Sequence, residues 1–317
     1  MRTITALFVG LGSIGTRHLK NLTNLCADRG WTLQADALRS DLSRPLRDGV
    51  AALLHAQYTD LADAPAHYDM VFITNPTSLH AEALTRVRGR GGALFIEKPI
   101  FSADQTGLDL ADCLPAEQKA YVAAPMRWCG VMLALKDRLP GLHPYCARVI
   151  CSSYLPDWRP GVDYRTVSSA HKAMGGGVTI DLIHEWDYLV ELFGVPEQLY
   201  NFKGTYSDLE IDSDDLSVYI ARYPTLLAEV HLDYFGRGYR RSIELFCHDG
   251  SYLADFGAGT LTLPDGTVQH YEEDVNRRYE REMEYFVDYA LTGSDESCNP
   301  PALALNVLKL TLGENVQ

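Results

Sequence analysis

The sequence predicts an α/β Rossmann protein: a doubly wound parallel sheet, followed by an α+β domain with a large, mainly antiparallel open sheet. Three observations lead to this expectation. An apolar run at residues 3–9 enters the glycine pattern GLGSIG at 10–15, which precedes a helix. Strand-like and helix-like segments then alternate. From about Pro144, short strand-like runs follow one another with one long helix among them. We expect a dinucleotide-binding domain at residues 1–122 and a substrate-binding and oligomerisation domain at 123–317.

Composition excludes several classes of function. The net charge of -14, from 28 Lys and Arg against 42 Asp and Glu, argues against nucleic-acid binding as the main role. No apolar run approaches the roughly 20 residues that span a bilayer, and the amino terminus becomes glycine-rich too early for a signal peptide, so we expect no membrane partner. The seven cysteines are scattered and never in C-x-x-C spacing, which favours neither a disulfide framework nor a thiolate metal site. We expect a cytoplasmic protein.

The glycine pattern predicts a dinucleotide site because it lies between a strand and a helix. Gly10 permits a tight turn, Gly12 lets the backbone approach a pyrophosphate, and Gly15 allows the helix to pack closely on the strand. The start of the helix offers free N–H groups and a positive dipole end to phosphates. The predicted pyrophosphate contacts are therefore Gly10, Gly12, Ser13, Ile14 and Gly15.

The second strand, residues 33–40, predicts the cofactor type. An NAD-preferring site places an acid at its end, for the ribose hydroxyls, whereas this strand ends with Arg39 and Ser40. An arginine and a hydroxyl suit a 2′-phosphate, which favours NADP over NAD. The alternative is that Arg39 points into solvent and Asp41 takes the acid's role.

Two further strands, at 68–76 and 93–99, flank a helix from about Ser78 to Arg88. Ligands of parallel sheets bind beyond the carboxyl ends of the strands. The predicted cofactor contacts at this edge are Thr74, Asn75, Pro76, His80, Glu97 and Lys98. Lys98 is a cation beside the expected nicotinamide position. The alternative is a surface ion pair with a nearby acid.

The second domain contains a predicted helix at residues 175–194, which begins with three glycines. Asp181, His184 and Asp187 are spaced by three along one helix edge, beside an apolar stripe. Their alternative roles are helix capping and a satisfied, partly buried histidine. They are also legitimate metal ligands, but no second cluster completes such a site, so we predict no metal. In the functional interpretation, the glycines let the backbone approach nicotinamide or substrate.

Strands and helices complete the second domain. The strand-like runs lie at 145–155, 197–206, 216–223, 226–235, 241–247 and 252–256, and two late helices at 276–291 and 301–313. These runs indicate an antiparallel sheet with one covered face. The last helix is expected to pack back on the first domain.

Together these motifs resemble the Gfo/Idh/MocA family of glucose-fructose oxidoreductase and inositol dehydrogenase. The carrying residues are GLGSIG followed by Arg17 and His18, TNPTSLH at 74–80, EKP at 97–99, and the glycine-led helix. The resemblance implies NAD(P)-dependent oxidation or reduction of sugars or cyclitols, and a homodimer or homotetramer formed through the second sheet. It also implies a catalytic group of Lys98, Asp181 and His184. Many members space the acid and histidine by four residues rather than three, which leaves Asp181 and Asp187 as alternatives for the functional acid.

This chemistry assigns a role to each residue. His184 is the candidate acid/base, because an unperturbed histidine has a pKa of about 6.5. Asp181 orients the imidazole or binds a substrate hydroxyl, and Lys98 stabilises negative charge on the reacting oxygen.

Four residues are expected to contact the substrate in addition to Asp181 and His184: Arg127, Arg159, Tyr164 and Arg165. Their arginines suit an acidic or phosphorylated sugar, including a nucleotide sugar. The alternative is that they tie down a long loop through surface pairs. Residues 154–165 also resemble a segment of relatives in nonulosonic-acid and surface-sugar biosynthesis.

We therefore expect an NAD(P)-dependent dehydrogenase or ketoreductase that acts on CH–OH groups of a sugar, cyclitol or nucleotide sugar. Two alternatives stay open. One is a redox-assisted glycoside hydrolase that retains its NAD. The other is a dinucleotide-sensing protein without turnover.

Overall fold

The computed structural model describes residues 2–292 and 296–316. The chain folds into two compact units, one of Met1–Ala123 with Tyr279–Leu305, and one of Ala124–Arg278 with Asn306–Gln317. Residues 279–305 thus belong with the first unit, whereas the sequence analysis placed them in the second domain. Within the described ranges, no helix combines the length and apolar character needed to cross a bilayer.

The first unit contains a parallel sheet, as predicted. Its strands are β1 (Thr3–Val9), β2 (Thr32–Leu38), β3 (Ala56–Tyr58), β4 (Tyr68–Ile73), β5 (Gly91–Ile96) and β6 (Lys119–Val122). Its helices include α1 (Ser13–Asp28), α2 (His80–Arg86) and α3 (Leu110–Cys113). The strand order is β3-β2-β1-β4-β5-β6, and every neighbouring pair is parallel. The order reverses between β1 and β4, which is where doubly wound sheets bind ligands.

An aromatic ladder holds this sheet together. Phe8 pairs in register with Phe72, Phe72 with Phe95, and Phe95 with Tyr121. The rings of Phe8 and Phe72 stack with centroids 4.4 Å apart. Phe286, from the late helix, meets Phe95 edge-on at 5.1 Å. This apolar contact explains why residues 279–305 belong with the first unit.

The second unit contains the predicted open sheet. Its strands are β7 (Cys146–Tyr154), β8 (Gln198–Gly204), β9 (Leu216–Arg222), β10 (Leu227–Asp233), β11 (Phe235–Cys247), β12 (Gly250–Asp255), β13 (Thr260–Thr262) and β14 (Val268–His270). The order is β14-β13-β12-β11-β7-β10-β9-β8. All neighbouring pairs are antiparallel except β7 with β10. The predicted fold class is therefore confirmed.

The glycine-led helix is broken, contrary to the prediction of one continuous helix. The remaining helices are α4 (Gly130–Arg138), α5 (Val178–Asp181), α6 (His184–Phe193), α7 (Asn276–Leu291) and α8 (Pro301–Thr311). Leu182 and Ile183 form a turn between α5 and α6, and both are buried. Asp181 consequently ends one helix and His184 begins the next.

Buried ion pairs fix α6. Arg127 donates from Nε and Nη2 to the two carboxylate oxygens of Asp187, at 3.0 and 2.7 Å. Its Nη1 donates to Glu191 at 2.6 Å. On the same helix, Glu185 accepts from Arg241 Nε at 2.6 Å. Because Arg127 is only 3% exposed, removing it leaves the buried Asp187 carboxylate without its cation, whereas Glu191 keeps Lys136.

We expect Arg127→Met to lower the free energy of unfolding by about 3–5 kcal/mol, the usual effect of removing one partner of a buried ion pair. Urea denaturation measures this loss. Arg165→Met is the matched control, since Arg165 also contacts two carboxylates, those of Asp163 and Glu210, but on an exposed surface. Equal losses in the two variants would contradict the bracing role of Arg127.

Candidate active site

The glycine loop, residues 10–15, lies tightly against the end of β4. A Cβ atom at Gly10, whose φ is +89°, would fall 2.9 Å from the Asn75 backbone. One at Gly15 would fall 2.6 Å from Thr74 Oγ1 and 2.7 Å from the Gly10 carbonyl. Side chains at these two positions are therefore excluded by the protein itself.

Gly12 differs from its neighbours, since a Cβ atom there would meet nothing within 4 Å. The following helix α1 has no side-chain cap and no acidic residue in its first turn. Ser13 and Ile14 stand at this open end, where backbone N–H groups and the helix dipole favour an anion. The residues present therefore fit a dinucleotide pyrophosphate.

The residues that follow β4, Thr74 to Pro76, form the edge of the sheet beside the glycine loop. Thr74 Oγ1 donates to the Gly10 carbonyl at 2.6 Å and so joins β4 to the glycine loop. Asn75 donates to the Leu79 carbonyl at 3.3 Å, while its buried Oδ1 has no hydrogen-bond partner among the described residues. Pro76 is exposed beside it. A cavity adjoins this edge, and its lining includes Val9, Leu38, Asn75, Leu79, Ala83 and Val87.

Arg39, directly after β2, is half-buried rather than free in solvent. Its guanidinium donates to Gln57 Oε1 at 2.8 Å and to the Arg44 carbonyl. Ser40 is exposed. Asp41, the alternative acid, accepts from both the amide and the hydroxyl of Ser43.

Lys98 comes directly after Glu97 in the sequence, and Glu97 forms a buried pair with His18. Glu97 Oε1 lies 2.5 Å from His18 Nε2, and Glu97 Oε2 accepts the Lys98 backbone N–H at 3.1 Å. Burial opposes ionisation of Glu97, but the hydrogen bond and charge of His18, with the charge of Lys98, bring its pKa below the usual value. No carboxylate of the described residues lies within 4.0 Å of the Lys98 ammonium, so the alternative of a surface ion pair is not observed.

Two predicted cofactor contacts face the protein interior instead. Both ring nitrogens of the fully buried His80 face carbonyl oxygens, of Ile100 at 3.2 Å and Asn75 at 3.0 Å. Burial lowers the pKa of His80. His80 thus ties two loops together, and Glu97 is bonded to His18, which makes both positions structural.

Asp181 and His184 lie at the break between α5 and α6, and both are half-buried. Tyr234 donates its hydroxyl to Asp181 Oδ2 at 2.6 Å. Burial, together with the Asp181 charge, raises the pKa of Tyr234 far above its usual range, so the hydroxyl stays a donor. Trp158 packs edge-on against the Tyr234 ring at 5.2 Å. Asp181 is consequently held as an oriented acceptor.

Asp187 does not join this group, because it is buried against Arg127. Of the two alternative acids, only Asp181 has the accessible position. The same pair removes Arg127 from the predicted substrate contacts, since its guanidinium is enclosed. No group of three or more metal-ligating side chains that could hold an ion occurs in the described part of the chain.

Two of the three glycines before α5, Gly176 and Gly177, serve the protein's own packing. A Cβ atom at Gly176 would fall 2.0 Å from the Ser168 carbonyl, and one at Gly177 2.5 Å from Asp214 Oδ1. This close approach to Ser168 and Asp214 explains Gly176 and Gly177 without a ligand, whereas a Cβ atom at Gly175 would meet nothing within 4 Å.

The remaining predicted substrate contacts separate into two kinds. Arg165 donates to Asp163 and Glu210, and Tyr164 accepts the Glu210 backbone N–H at 3.2 Å. These bonds match the alternative that the loop is tied down by surface pairs. Arg159 is exposed, and no described carboxylate lies within 4.0 Å of it.

Sequence reasoning assigned no role to three supporting side chains: His18, which it named only within the family motif, Gln57 and Tyr234. Each contacts its partner across 79, 18 and 53 residues respectively. Only His18 carried a signal, because it lies one turn after Gly15 on the face of α1 that packs on the sheet.

Comparison with known protein families finds a match in the amino-terminal region of the chain. Residues 4–124 match the model of an oxidoreductase family with an NAD-binding Rossmann fold. Comparison of the sequence with curated proteins finds no match.

The solved structures extend the likeness to the whole chain. An oxidoreductase of Agrobacterium radiobacter, solved with NAD+, L-tartaric acid and magnesium, has a TM-score of 0.78 at 16% identity, covering 98% of this chain and 95% of that one. The WlbA dehydrogenase of Bordetella pertussis, in complex with NADH and UDP-GlcNAcA, gives 0.72 at 17%, covering 98% and 95%. Myo-inositol 2-dehydrogenase of Lactobacillus plantarum gives 0.75 at 18%, covering 98% and 96%. Residues 4–124 therefore match the Gfo/Idh/MocA oxidoreductase family, as the motifs predicted, and the chain as a whole shares the fold of these solved oxidoreductases and dehydrogenases.

Proposed function

We propose that this oxidoreductase transfers hydride between a nicotinamide dinucleotide and a hydroxyl or ketone carbon of a sugar, cyclitol or nucleotide sugar. The observation that carries the proposal is the open start of α1, where Gly12 leaves space and the first turn has neither cap nor acid. Such an end binds a pyrophosphate without reorganisation of the protein. The family of residues 4–124 supports the redox chemistry.

The chain's residues supply proton transfer and charge stabilisation, while the bound nicotinamide supplies the hydride. His184, at the first position of α6, takes a proton from the substrate hydroxyl or returns it to the ketone oxygen. Lys98, which has no carboxylate partner among the described residues, stabilises negative charge on the reacting oxygen. Asp181 binds an adjacent hydroxyl or orients the imidazole, and Tyr234 fixes its carboxylate.

NADP is the proposed cofactor. Arg39 carries a full positive charge at the end of β2, and none of the described carboxylates lies within 4.0 Å to neutralise it. A guanidinium donates charge-assisted hydrogen bonds to a 2′-phosphate. Asp41 is engaged with Ser43, which disfavours the competing role of a ribose-binding acid.

An anionic sugar is the proposed substrate class. Arg159 keeps its charge available in the loop before α5, whereas Arg165 is neutralised by Asp163 and Glu210. The Bordetella pertussis dehydrogenase was solved with the acidic nucleotide sugar UDP-GlcNAcA. A uronic acid or a nucleotide sugar, of the kind used in surface-sugar biosynthesis, carries a negative charge. This charge would pair with the Arg159 guanidinium.

The free cysteines support a reducing, cytoplasmic location. All seven are thiols, and five of them are buried. Burial raises the pKa of Cys129, for example, which keeps its thiol protonated and unreactive.

The open face of the second sheet supports assembly with another copy. Exposed apolar side chains continue across three adjacent strands, with Tyr200 and Phe202 on β8, Ile220 on β9 and Leu227 on β10. Contiguous apolar surface of this kind marks a protein interface. We propose a homodimer or homotetramer formed through this face.

We expect Ile220→Glu to shift the oligomer to a monomer, because it buries a charge in the proposed interface. Light scattering coupled to size exclusion measures the mass. Val268→Glu is the control, since Val268 is 47% exposed on the distant edge strand β14. A wild type that is monomeric at high concentration would refute the assembly.

We expect His184→Ala to reduce single-turnover oxidation of NADPH by about 100-fold to 10,000-fold, the contribution of a positioned acid/base. Cofactor affinity should stay nearly unchanged, because the imidazole acts on the substrate. The assay uses a panel of keto-sugars, uronic acids and nucleotide sugars. His143→Ala is the control, since His143 is exposed and has no hydrogen-bond or ion-pair partner among the described residues.

A lowered melting temperature with normal turnover in His184→Ala would show that the histidine only packs. A nicotinamide that stays bound and returns to its oxidised form during each cycle would instead indicate the glycoside hydrolase.

A further inference from the structure

The strand beside β2 controls the position of Arg39. In the parallel pair β2–β3, Ala37 lies opposite Gln57 and Leu38 opposite Tyr58. The Arg39 backbone N–H continues this ladder by donating to the Tyr58 carbonyl at 2.9 Å. Gln57 Oε1 accepts from Arg39 Nη1 at 2.8 Å. Backbone and side chain of Arg39 are thus both attached to β3.

The loop after β2 supplies a second anchor. Arg39 Nη2 donates to the Arg44 carbonyl, so the guanidinium bridges the loop and β3. Asp41 Oδ1 fixes this loop by accepting from the Ser43 amide at 2.8 Å and the Ser43 hydroxyl at 2.7 Å. These bonds, the hydroxyl's first, lower the pKa of Asp41. Asp41 Oδ2 also lies 3.6 Å from Arg44 Nε. The charge of Arg39 contributes to the lowered pKa, but the Asp41 carboxylate makes no hydrogen bond or ion pair within 4.0 Å with Arg39 in the described structure.

These anchors leave the recognition groups of Arg39 available. A guanidinium has five N–H donors, and the two bonds described use one on Nη1 and one on Nη2. The donor on Nε and one on each terminal nitrogen have no partner among the described residues. Both anchors are uncharged, so they orient the guanidinium without neutralising it.

We propose that Gln57 is the positioning residue that sets the preference for NADP(H), by holding the Arg39 guanidinium for the 2′-phosphate. This inference rests on the proposed function. An amide suits the role because it fixes orientation and keeps the cation's charge, whereas a carboxylate at residue 57 would pair with Arg39 and repel the phosphate. A free arginine would lose side-chain entropy on binding, and the anchor removes part of this cost.

The test is equilibrium binding of NADPH and NADH, followed by energy transfer from protein tryptophan to the reduced nicotinamide. We expect Gln57→Leu to weaken NADPH about threefold to tenfold, the effect of one lost hydrogen bond. Gln57→Glu should weaken NADPH by about tenfold or more, the larger effect expected where a charge is involved. NADH affinity should be unchanged in both variants, because NADH has no 2′-phosphate.

A double-mutant cycle isolates the role of Gln57. Arg39→Ala should weaken NADPH about tenfold or more, since a hydrogen bond to a charged group is lost. Adding Gln57→Leu to that variant should then have no further effect, because the anchor has nothing to hold. Gln34→Leu is the matched control: Gln34 is exposed near the start of β2, and its side chain has no hydrogen-bond partner in the described structure.

The outcomes separate this inference from the proposed function. Binding of neither nucleotide by the wild type would refute both. A wild type that binds NADH as tightly as NADPH would overturn the 2′-phosphate role and leave dinucleotide binding intact. A preference for NADPH that survives Gln57→Leu, or an equal loss of NADH affinity, would refute the positioning role alone. Melting temperatures check that each variant is folded.

Discussion

The close contact between the glycine loop and the end of β4 is the constraint on which the cofactor site depends. A side chain at Gly15 would meet Thr74 Oγ1 at 2.6 Å, so α1 reaches its place only with glycine there. That place puts the uncapped start of α1 at the carboxyl edge of the parallel sheet. Arg39 follows β2 and Lys98 follows β5 at the same edge, with β1 and β4 between them. The proposed binding of the pyrophosphate, of a 2′-phosphate and of the reacting oxygen thus has one geometric origin.

Ion pairing decides which cations remain available for ligands. The chain has an excess of acids, and many arginines are taken by them: Arg127 by Asp187 and Glu191, Arg241 by Glu185, and Arg165 by Asp163 and Glu210. Lys98, Arg39 and Arg159 have no such partner among the described residues. A cation without a carboxylate partner keeps its charge for an incoming anion. Ion pairing therefore excludes Arg127, Arg241 and Arg165 as proposed recognition groups and leaves the charges of Lys98, Arg39 and Arg159 available.

The sequence predicted the sheet class and the glycine loop well, because both depend on local pattern. It predicted side-chain roles less well where long-range partners decide them. Arg127 looked like a substrate ligand, but Asp187, 60 residues away, encloses it. His80 sat in a cofactor-like motif, yet both its nitrogens face backbone carbonyls.

The break between α5 and α6 at Leu182 and Ile183 was not predicted for a different reason. Periodicity alone favoured one helix, since the apolar stripe runs through both halves. The same periodicity gave no sign of the turn, and Tyr234, which holds Asp181, comes from a strand 53 residues away. Spacing of polar residues along the sequence therefore predicted candidate site residues without revealing their geometry.

The most direct test of the central claim is NADPH binding to Gly12→Val. Because nothing of the protein lies within 4 Å of a Cβ atom at Gly12, this variant should fold with an unchanged melting temperature. It should nevertheless lose NADPH and NADH affinity together, since the valine occupies the path of the pyrophosphate. Gly107→Val, at a position equally free of neighbours in the same unit, should bind normally. A folded Gly12→Val protein with unchanged affinity for both nucleotides would contradict the account.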